Sequence, residues 1–545
     1  MCLKAKPVSP VPELTKIVAE SAFPKGNRYL RLRQVFDGVF KDDEFQAYYP
    51  TQGQPGYSPW RLALISVMQY MENLTDRQAA DAVRARIDWK YALSLELTDT
   101  GFDASILSEF RKRLIAHHAE DKLFDHLLER FNEHGLLKSR GKQRTDSTAI
   151  WASVRNLNWL EHVGETMRYA LNDLSREAPD WLESLIEPEW LERYGKRVED
   201  FRLPKGKKAR TELAEQIGRD GLKLLTAMGD QSKLLELPSV QILQRTWDEQ
   251  YEWRKGKFRW RVHNDLPPSS KRIHTPYDPE ATYMTRHGYG WLGYRVHFTE
   301  TCESNYPHLV VHVETTPATT NDRQVLRFIH DALDKRELLP EQQIVDTGYM
   351  QMDDVVYLQE KYQTQLLGPV QPGASWQAKA KQGYSNTDFQ IDWEKKVTTC
   401  PQGKTTSSWS EMSEDGHRMV HIRFRKADCL ACQTRSLCTK AKSEPRNIHI
   451  GIHHQQLQQM RQEQQSDVWY EQYADRAGIE ATFSQVMRVT GLRQTRYIGL
   501  NKTHLHNILS ASALNLIRVD DWFNDKPIRR KRITPFQKLC QSLAS

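Results

Sequence analysis

The sequence predicts an α/β core that follows an all-α domain and is interrupted by two insertions. Residues 57–135 carry apolar side chains at helical spacing, whereas residues 291–299 and 308–316 alternate apolar and polar side chains as strands do. Four of the seven cysteines also cluster between positions 400 and 438. Because 545 residues are too many for one hydrophobic core, we expect about three or four units.

The charge of the chain favours a polyanionic partner. The formal net charge is +7, and the Lys and Arg residues occur in clusters, which is typical of proteins that bind nucleic acid. An anionic membrane surface is a weaker alternative. Since no run of about 18 apolar residues is present and the first residues have no apolar signal segment, we expect a cytoplasmic protein without a membrane partner.

The first predicted domain is helical and spans residues 57–135, after an N-terminal arm (residues 1–56) that shows no long periodic pattern. Ser58 and Pro59 supply an N-cap and a first-turn proline, and Thr75 with Gln78 forms a capping-box pattern. A third helix begins near Asp103 or Ser105. Short helices joined by tight turns are typical of helix-turn-helix readers of DNA. Six basic residues are candidate phosphate contacts, although a solvated charged face explains them equally simply: Arg77, Arg84, Arg86, Arg111, Lys112 and Arg113.

The predicted core has a definite order of elements. A strand over 143–151 carries Asp146, and a hairpin (291–299 and 308–316) and a helix (321–335) follow. A strand over 343–348 carries Asp346, and it is followed by a helix (353–362), a strand (365–370) and a late helix with Glu480. This is the order of a ribonuclease-H-like fold. We assign residues 140–155, 274–372 and 466–520 to this core.

Two insertions separate the core segments. Residues 156–273 are predicted to be helical and basic, with aromatic and cationic residues interleaved over 252–261. That mixture suits stacking and phosphate pairing, and it equally suits an amphipathic edge strand. Residues 373–465 form the second, cysteine-rich insertion.

Three acids of the predicted core are expected to meet at one edge of its sheet: Asp146, Asp346 and Glu480. Crowded carboxylates repel one another unless cations neutralise them. Two Mg²⁺ or Mn²⁺ ions about 4 Å apart do so, and they also activate a water or 3′-hydroxyl for attack on a phosphodiester. Other acids are better explained as helix N-caps or first-turn acids, among them Asp322, Asp353 and Asp354.

These motifs resemble the DDE transposases of bacterial insertion sequences whose last acid lies in a Tyr-x2-Arg-x3-Glu-x6-Lys signature. Here the signature reads Tyr473, Arg476, Glu480 and Met487, so methionine stands at the lysine position. The first two acids occur in Thr-Asp-Ser-Thr around Asp146 and in Val-Asp-Thr-Gly-Tyr around Asp346. The resemblance covers most of the chain, from about residue 57 to residue 518.

The resemblance implies how the chain meets DNA. It implies that Tyr473 and Arg476 orient DNA or support Glu480, whereas an aromatic packed on a helix and a plain ion pair are the structural alternatives. The missing lysine would have contacted a phosphate of the transposon end, and Arg488 and Lys502 are candidate substitutes. Two more candidates belong to the basic run that follows the signature: Arg493 and Arg496.

The cysteine cluster has the form Cys400-x28-Cys429-x2-Cys432-x5-Cys438. A Cys-x2-Cys pair places two thiolates on one tetrahedral ion, so we expect a closed structural zinc site with four cysteine ligands. His417 or His421 is a possible substitute ligand. Reduced thiols without metal are the alternative.

We therefore expect a transposase that binds the terminal inverted repeats of its element, cleaves the phosphodiester by two-metal hydrolysis and joins the 3′-hydroxyl to target DNA. The resemblance also implies a homodimer or larger assembly on double-stranded DNA. A domesticated DNA-binding protein without catalysis, which Met487 favours, and a metal-dependent nuclease are the alternatives. The basic tail (521–545) is expected to touch phosphates or to be solvated.

Overall fold

In a computed structural model of the chain, the described residues are 2–229, 232–286, 288–373, 375–406, 408–414, 417–526 and 534–544. The first part is helical. Pro59 begins one helix with Ser58 as its N-cap, and Thr75 caps the next through a complete capping box, as the sequence predicts. The helices are α1 (Glu13–Ala22), α2 (Arg28–Val35), α3 (Pro59–Met71), α4 (Asp76–Ala85), α5 (Ile87–Ala92), α6 (Ser105–Ala116) and α7 (Lys122–Glu133).

Residues 13–48 differ from the predicted arm. They form α1, α2 and a 3-10 turn, and Tyr29, Phe36 and Phe45 are buried in the same apolar cluster as α3. The physical reason is burial of large aromatic side chains, which stabilises short helices that lack a long periodic pattern.

The first insertion follows β1 (Lys142–Trp151) and has a hydrophobic core of its own. Its hairpin pairs Glu252 with Arg259 and Arg261, which favours the edge-hairpin interpretation of this aromatic and basic segment. Its elements are α8 (Trp159–Glu177), α9 (Pro179–Glu183), α10 (Pro188–Tyr194), α11 (Lys207–Met228), α12 (Ser232–Leu235), α13 (Pro238–Gln250), β2 (Tyr251–Arg254) and β3 (Lys257–Trp260).

A six-stranded sheet forms the centre of the molecule. Its order is β4-β5-β1-β7-β8, and β6 also pairs with β5. Strand β7 pairs in parallel with β1 and with β8, whereas β5 is antiparallel to β1, β4 and β6. The elements after the insertion are β4 (Thr282–Arg286), β5 (Tyr289–Thr301), β6 (Val310–Pro317), α14 (Leu326–Lys335), β7 (Gln342–Val345), α15 (Met352–Tyr362) and β8 (Gln365–Leu367).

The cysteine-rich segment forms a small module with a separate apolar cluster that includes Val420, Ile422 and Ile448. A three-stranded sheet in the order β11-β12-β13 is its largest element. The module contains α16 (Trp376–Ala380), β9 (Gln390–Asp392), β10 (Val397–Thr399), β11 (Ser408–Glu414), β12 (His417–Arg423), α17 (Lys426–Leu430), α18 (Arg435–Cys438) and β13 (Asn447–Gly451).

The C-terminal helices return the chain to the sheet. They are α19 (His454–Glu463), α20 (Asp467–Tyr473), α21 (Gly478–Thr490), α22 (Leu500–Phe523) and α23 (Pro535–Ala544). Helix α22 is buried along most of its length, and one continuous apolar cluster joins the N-terminal helices, the sheet, α21 and α22. The N-terminal helices therefore share their core with the sheet. In the described part of the chain, no helix is both long and apolar enough to cross a membrane.

One predicted helix is broken. The helical spacing predicts one continuous helix with Tyr473, Arg476, Glu480 and Met487 on a shared face, but a 3-10 turn (Ala474–Ala477) separates α20 from α21. Tyr473 thus ends α20, Arg476 lies in the turn, and Glu480 lies in the first turn of α21. The predicted tail segment 528–533 lies outside the described residues.

Candidate active site

Two of the predicted acids lie on neighbouring parallel strands. Asp146 lies within β1, and Asp346 directly follows the last residue of β7. In the register of the two strands Thr145 pairs with Val345, so the next position on each strand is an aspartate. The sheet therefore places these two acids side by side, although they are far apart in the sequence.

Asp146 is mostly buried, and the Arg476 guanidinium lies beside it. Its Oδ2 accepts a hydrogen bond from Arg476 Nη2 at 2.8 Å, and its Oδ1 accepts one from the backbone N–H of Ser147 at 2.7 Å. Burial raises the pKa of Asp146 from 3.8 to about 6; Arg476 opposes this shift, and nearby Asp346 and Asp322 add to it. The site thus concentrates negative charge that its own cations only partly balance.

Asp346 is held by the glycine turn that follows it. Its Oδ1 accepts a hydrogen bond from the backbone N–H of Gly348 at 2.8 Å, and its Oδ2 lies 3.8 Å from Arg286 Nη2. Arg286 ends β4 at the edge of the sheet. Strand β4 thus contributes a cation to the site that the sequence analysis did not identify.

Arg476 links the third acid to the first. Its Nη1 donates to Glu480 Oε1 at 3.1 Å, while Nη2 contacts Asp146. The Glu480 side chain is 67% exposed, in contrast to 12% for Asp146. The structure therefore links Glu480 to Asp146 through one guanidinium group.

A buried ion-pair network fixes the start of α21 on the sheet. Arg144, two residues before Asp146, forms an ion pair with Glu300 and donates to the backbone carbonyl of Asp475 at 2.5 Å. Arg518 of α22 pairs with the same Glu300 at 2.9 Å. Gly478 lies against the Arg144 guanidinium, since a Cβ at this position would meet Arg144 Nη1 at 2.0 Å. This close packing determines where Arg476 and Glu480 lie relative to β1.

Asp322 is a fourth acid at this site, and it is a first-turn acid of the 3-10 turn Asp322–Gln324, which agrees with one of the two roles that the sequence predicts for it. Asn321 is the N-cap, in a capping box with Gln324, and Asp322 turns inward. Its Oδ1 accepts hydrogen bonds from Arg295 Nη1 at 2.6 Å and from Ser147 Oγ at 3.0 Å. The preceding asparagine, which is itself a strong N-cap residue, is the sequence signal that points to this arrangement.

The other signature residues surround the carboxylates. Tyr473 stacks on Trp469 at 4.7 Å, and its pKa rises to about 12 because it is buried near Asp346, Asp146 and Glu480. Met487 is partly buried against the main apolar cluster, and its Sδ lies 3.0 Å from Arg493 Nη2. Arg493 also donates to the backbone carbonyl of Ala149 at 3.0 Å, so it ties α21 and its following loop to β1.

Several predicted DNA contacts are used inside the chain instead. Arg111 is buried and pairs with Asp76, which corrects its prediction as a surface contact. Arg86 pairs with Glu72 and Asp88, and Arg496 donates to the carbonyl of Leu74. Arg113 donates to the carbonyl of Tyr48, whereas exposed Arg84 pairs with exposed Asp81 at the surface and stays a candidate. The remaining four candidates are exposed: Arg77, Lys112, Arg488 and Lys502.

The four clustered cysteines line a single cavity. Cys400, Cys429, Cys432 and Cys438 all border it, together with apolar Phe389 and Phe424. Burial raises the pKa of the Cys438 thiol to about 11; Arg446 opposes this shift, and the other three cysteines add to it. His421 stacks on His449 at 4.3 Å, and the His417 side chain lies outside the described part of the structure.

The carboxylates and the thiols fit two different kinds of metal ion, although neither set of side chains is positioned around a common point as metal ligands are. Carboxylate oxygens suit Mg²⁺ or Mn²⁺, and converging thiols suit zinc. Beside Asp346, glycine at position 348 leaves a space that a Cβ would fill. Among the residues that the structure describes, no three His, Cys, Asp or Glu side chains are placed to hold an ion as they stand. At the carboxylates, Arg476 lies between Asp146 and Glu480.

Two family models match separate parts of the chain. Residues 399–519 match a model described as "Transposase DDE domain", and residues 17–113 match one described as "Transposase domain (DUF772)". The two matches support a DDE-type transposase as the class of protein. With the DDE match, the mixed α/β sheet fits a ribonuclease-H-like core. No curated protein sequence gives a significant match to the chain.

Proposed function

We propose that this protein is a DNA transposase that cleaves the phosphodiester at the ends of its element and joins the 3′-hydroxyl to target DNA. The single observation that carries the proposal is the placement of three acids: Arg476 pairs with both Asp146 and Glu480, and Asp346 follows the strand that pairs in parallel with the strand of Asp146. The two family matches support the same class of reaction.

The three acids are the proposed ligands of the divalent ions. When bound, Mg²⁺ or Mn²⁺ would activate the attacking water or 3′-hydroxyl and stabilise the leaving oxygen. Asp146 and Asp346 are fixed by the sheet, so they define the position of the reacting phosphate. Glu480 is exposed and held through Arg476, which must release at least one carboxylate before that carboxylate ligates an ion.

DNA is the proposed partner, in a homodimer or larger assembly that brings two element ends together. Arg488 on α21 and Lys502 on α22 are exposed and follow Glu480 in the sequence. Arg77 and Lys112 are exposed on the N-terminal helices. Exposed cations bind phosphates and release counterions, so their loss weakens binding in a salt-dependent way.

A strand-transfer assay with Mg²⁺ and labelled element ends tests the proposal. The wild-type chain is expected to give both cleaved and joined product, and Asp146→Asn is expected to give neither while it still binds DNA. Cleavage without joining identifies a nuclease, and DNA binding without cleavage identifies a non-catalytic DNA-binding protein. Joining by Asp146→Asn at the wild-type rate would overturn the assignment of the acids.

We also propose that the cysteine cavity holds one structural zinc ion through Cys400, Cys429, Cys432 and Cys438. The shared cavity and the mutual effect of the four thiols on the pKa of Cys438 support this. Metal analysis of the purified chain is expected to give one zinc per chain, lost on chelation. A chain that folds its cysteine module without zinc would contradict this proposal.

A further inference from the structure

Asp322 follows the N-cap residue Asn321, so its own side chain is not required to cap the helix. The backbone N–H of Asn321 donates to Gln324 Oε1 at 3.2 Å, and the carboxylate of Asp322 points away from the helix start. Its side chain is only 9% exposed, and burying a carboxylate is costly unless it has strong partners. The partners of Asp322 are residues of the active site.

The two oxygens of Asp322 have different environments. Arg295 and Ser147 both donate to Oδ1, at 2.6 and 3.0 Å. Ser147 is the residue next to Asp146, and its backbone N–H donates to the Asp146 carboxylate. Asp322 is therefore joined to Asp146 through a single residue. Because both hydrogen bonds are accepted by Oδ1, Oδ2 is the oxygen that points to the other side of the carboxylate.

Oδ2 of Asp322 faces Asp346 across Gly348. A Cβ at position 348 would lie 3.0 Å from Asp322 Oδ2 and 2.9 Å from Asp346 Oδ1, so these two oxygens are at most about 6 Å apart. The backbone at Gly348 is not in the left-handed region, so only space requires glycine here. The missing side chain leaves an opening between two carboxylates.

The charges around this opening do not balance. Asp146, Asp322, Asp346 and Glu480 are four acids, and the guanidinium groups within ion-pair distance of them are those of Arg295, Arg476 and Arg286. Arg286 is the most distant, at 3.8 Å from Asp346. Asp146 and Glu480 share Arg476, and Asp346 pairs only loosely with Arg286, so the four acids keep a net negative charge that attracts a cation.

We propose that Asp322 is a fourth carboxylate ligand of the divalent metal centre and shares an ion with Asp346 through the opening at Gly348. The inference rests on the proposed function, since it assigns a further ligand to the same centre. Arg295 and Ser147 orient Asp322 from behind, as outer partners orient metal ligands in proteins.

Asp322→Asn tests the assignment because it changes one oxygen. Arg295 and Ser147 hold the remaining amide oxygen, which turns the amide nitrogen towards Gly348, where it cannot ligate a cation. We expect Mn²⁺ to bind the full-length chain about 10–100-fold more weakly, measured by titration calorimetry and by the signal of free Mn²⁺ in electron paramagnetic resonance. Asp331→Asn on the following helix α14, where Asp331 pairs with Lys361, is the matched control and is expected to bind Mn²⁺ normally.

A second variant separates metal ligation from folding. Asp322→Asn leaves the buried Arg295 without its charge partner, so we also combine it with Arg295→Gln, and both are measured at a temperature where their melting curves show them folded. Weak Mn²⁺ binding in both variants supports the proposal. Wild-type affinity in either variant overturns it.

The same titration distinguishes this inference from the proposed function. If the wild-type chain binds no Mn²⁺ and joins no DNA, the proposed function itself fails. If the wild-type chain binds Mn²⁺ and joins DNA but Asp322→Asn binds Mn²⁺ equally well, only the role of Asp322 fails. In Asp322→Asn, the Mn²⁺ dissociation constant should be higher than in the wild-type chain. The concentration of Mg²⁺ that gives half-maximal cleavage should rise by a similar factor.

Discussion

The carboxylate site and the cysteine cavity both gather ligand-type side chains, but they are assembled differently. The acids come from positions 146, 322, 346 and 480, on two neighbouring strands and two helical turns of the central fold. The cysteines come from positions 400–438, within one small module that has its own apolar cluster. The first site depends on packing across the whole core, whereas the second depends on a short stretch of chain.

The two sites also balance charge differently. At the carboxylates, Arg476, Arg286 and Arg295 each lie within ion-pair distance of an acid. At the cysteines, burial favours neutral thiols, as the raised pKa of Cys438 indicates. Variants should therefore affect the first site through distant packing and the second only through its own residues.

The largest expected effect comes from removing the exposed acid. Glu480→Gln should lower strand joining about 10³-fold, because a lost metal ligand removes several kcal/mol of transition-state stabilisation. The readout is single-turnover joining with Mg²⁺. Glu471→Gln, an exposed glutamate on α20, is the control and should join normally. Joining by Glu480→Gln within tenfold of wild type would remove Glu480 from the site.

A smaller effect is expected from packing behind the acids. Gly478→Ala places a Cβ against the Arg144 guanidinium, so it should destabilise the chain by about 1–3 kcal/mol and displace Glu480. We expect the rate of strand joining to fall about 10–100-fold, because a small displacement of a catalytic group from its reactive position slows a reaction by this much. Thermal melting and the joining assay measure the two effects. Gly206→Ala, where the added Cβ meets open space, is the control. Equal melting temperatures and joining rates in the two variants would show that the contact of Gly478 with Arg144 does not position the site.

Damage to the cysteine cavity should remain local. Cys429→Ser should abolish zinc binding and unfold the module, yet change Mn²⁺ affinity at the carboxylates less than about threefold, because the two sites have separate cores. Metal analysis and Mn²⁺ titration are the measurements, with Cys540→Ser at an exposed position as control. A parallel loss of Mn²⁺ affinity would show that the module supports the active site.

The smallest effect is expected at the unusual signature position. Met487→Lys puts an ammonium group beside Arg493 in a partly buried setting, so it should cost about 1 kcal/mol of stability through like-charge contact. We expect no tighter binding of element ends, measured by fluorescence anisotropy at fixed salt. Met412→Lys, at an exposed position of the cysteine module, serves as control. A tenfold gain in affinity would instead show that position 487 faces DNA.

Helix and strand positions were largely predictable because local signals specify them. The capping box at Thr75 and Gln78 and the alternation over 291–299 correspond to α4 and β5. The N-terminal helices α1 and α2 were not predicted, since burial in apolar clusters rather than periodicity stabilises them: Tyr29 of α2 lies in the main cluster, and Ala19 of α1 packs with Leu30 and Tyr91. The break at 474–477 was also missed, because Tyr473, Ala474, Ala477 and Gly478 at its two ends keep helix-like backbone angles.

The sequence by itself determined the candidate ligands and their order along the chain: an aspartate on a strand, an aspartate directly after a strand, a glutamate on a late helix and a Cys-x2-Cys cluster. Only the tertiary structure decided which groups meet. The parallel register of β1 and β7 sets Asp146 beside Asp346, Arg144 fixes the turn that carries Arg476, and Asn321 frees Asp322 to face the site. Those contacts join residues far apart in the sequence, so they depend on the packing of the core and not on any local pattern.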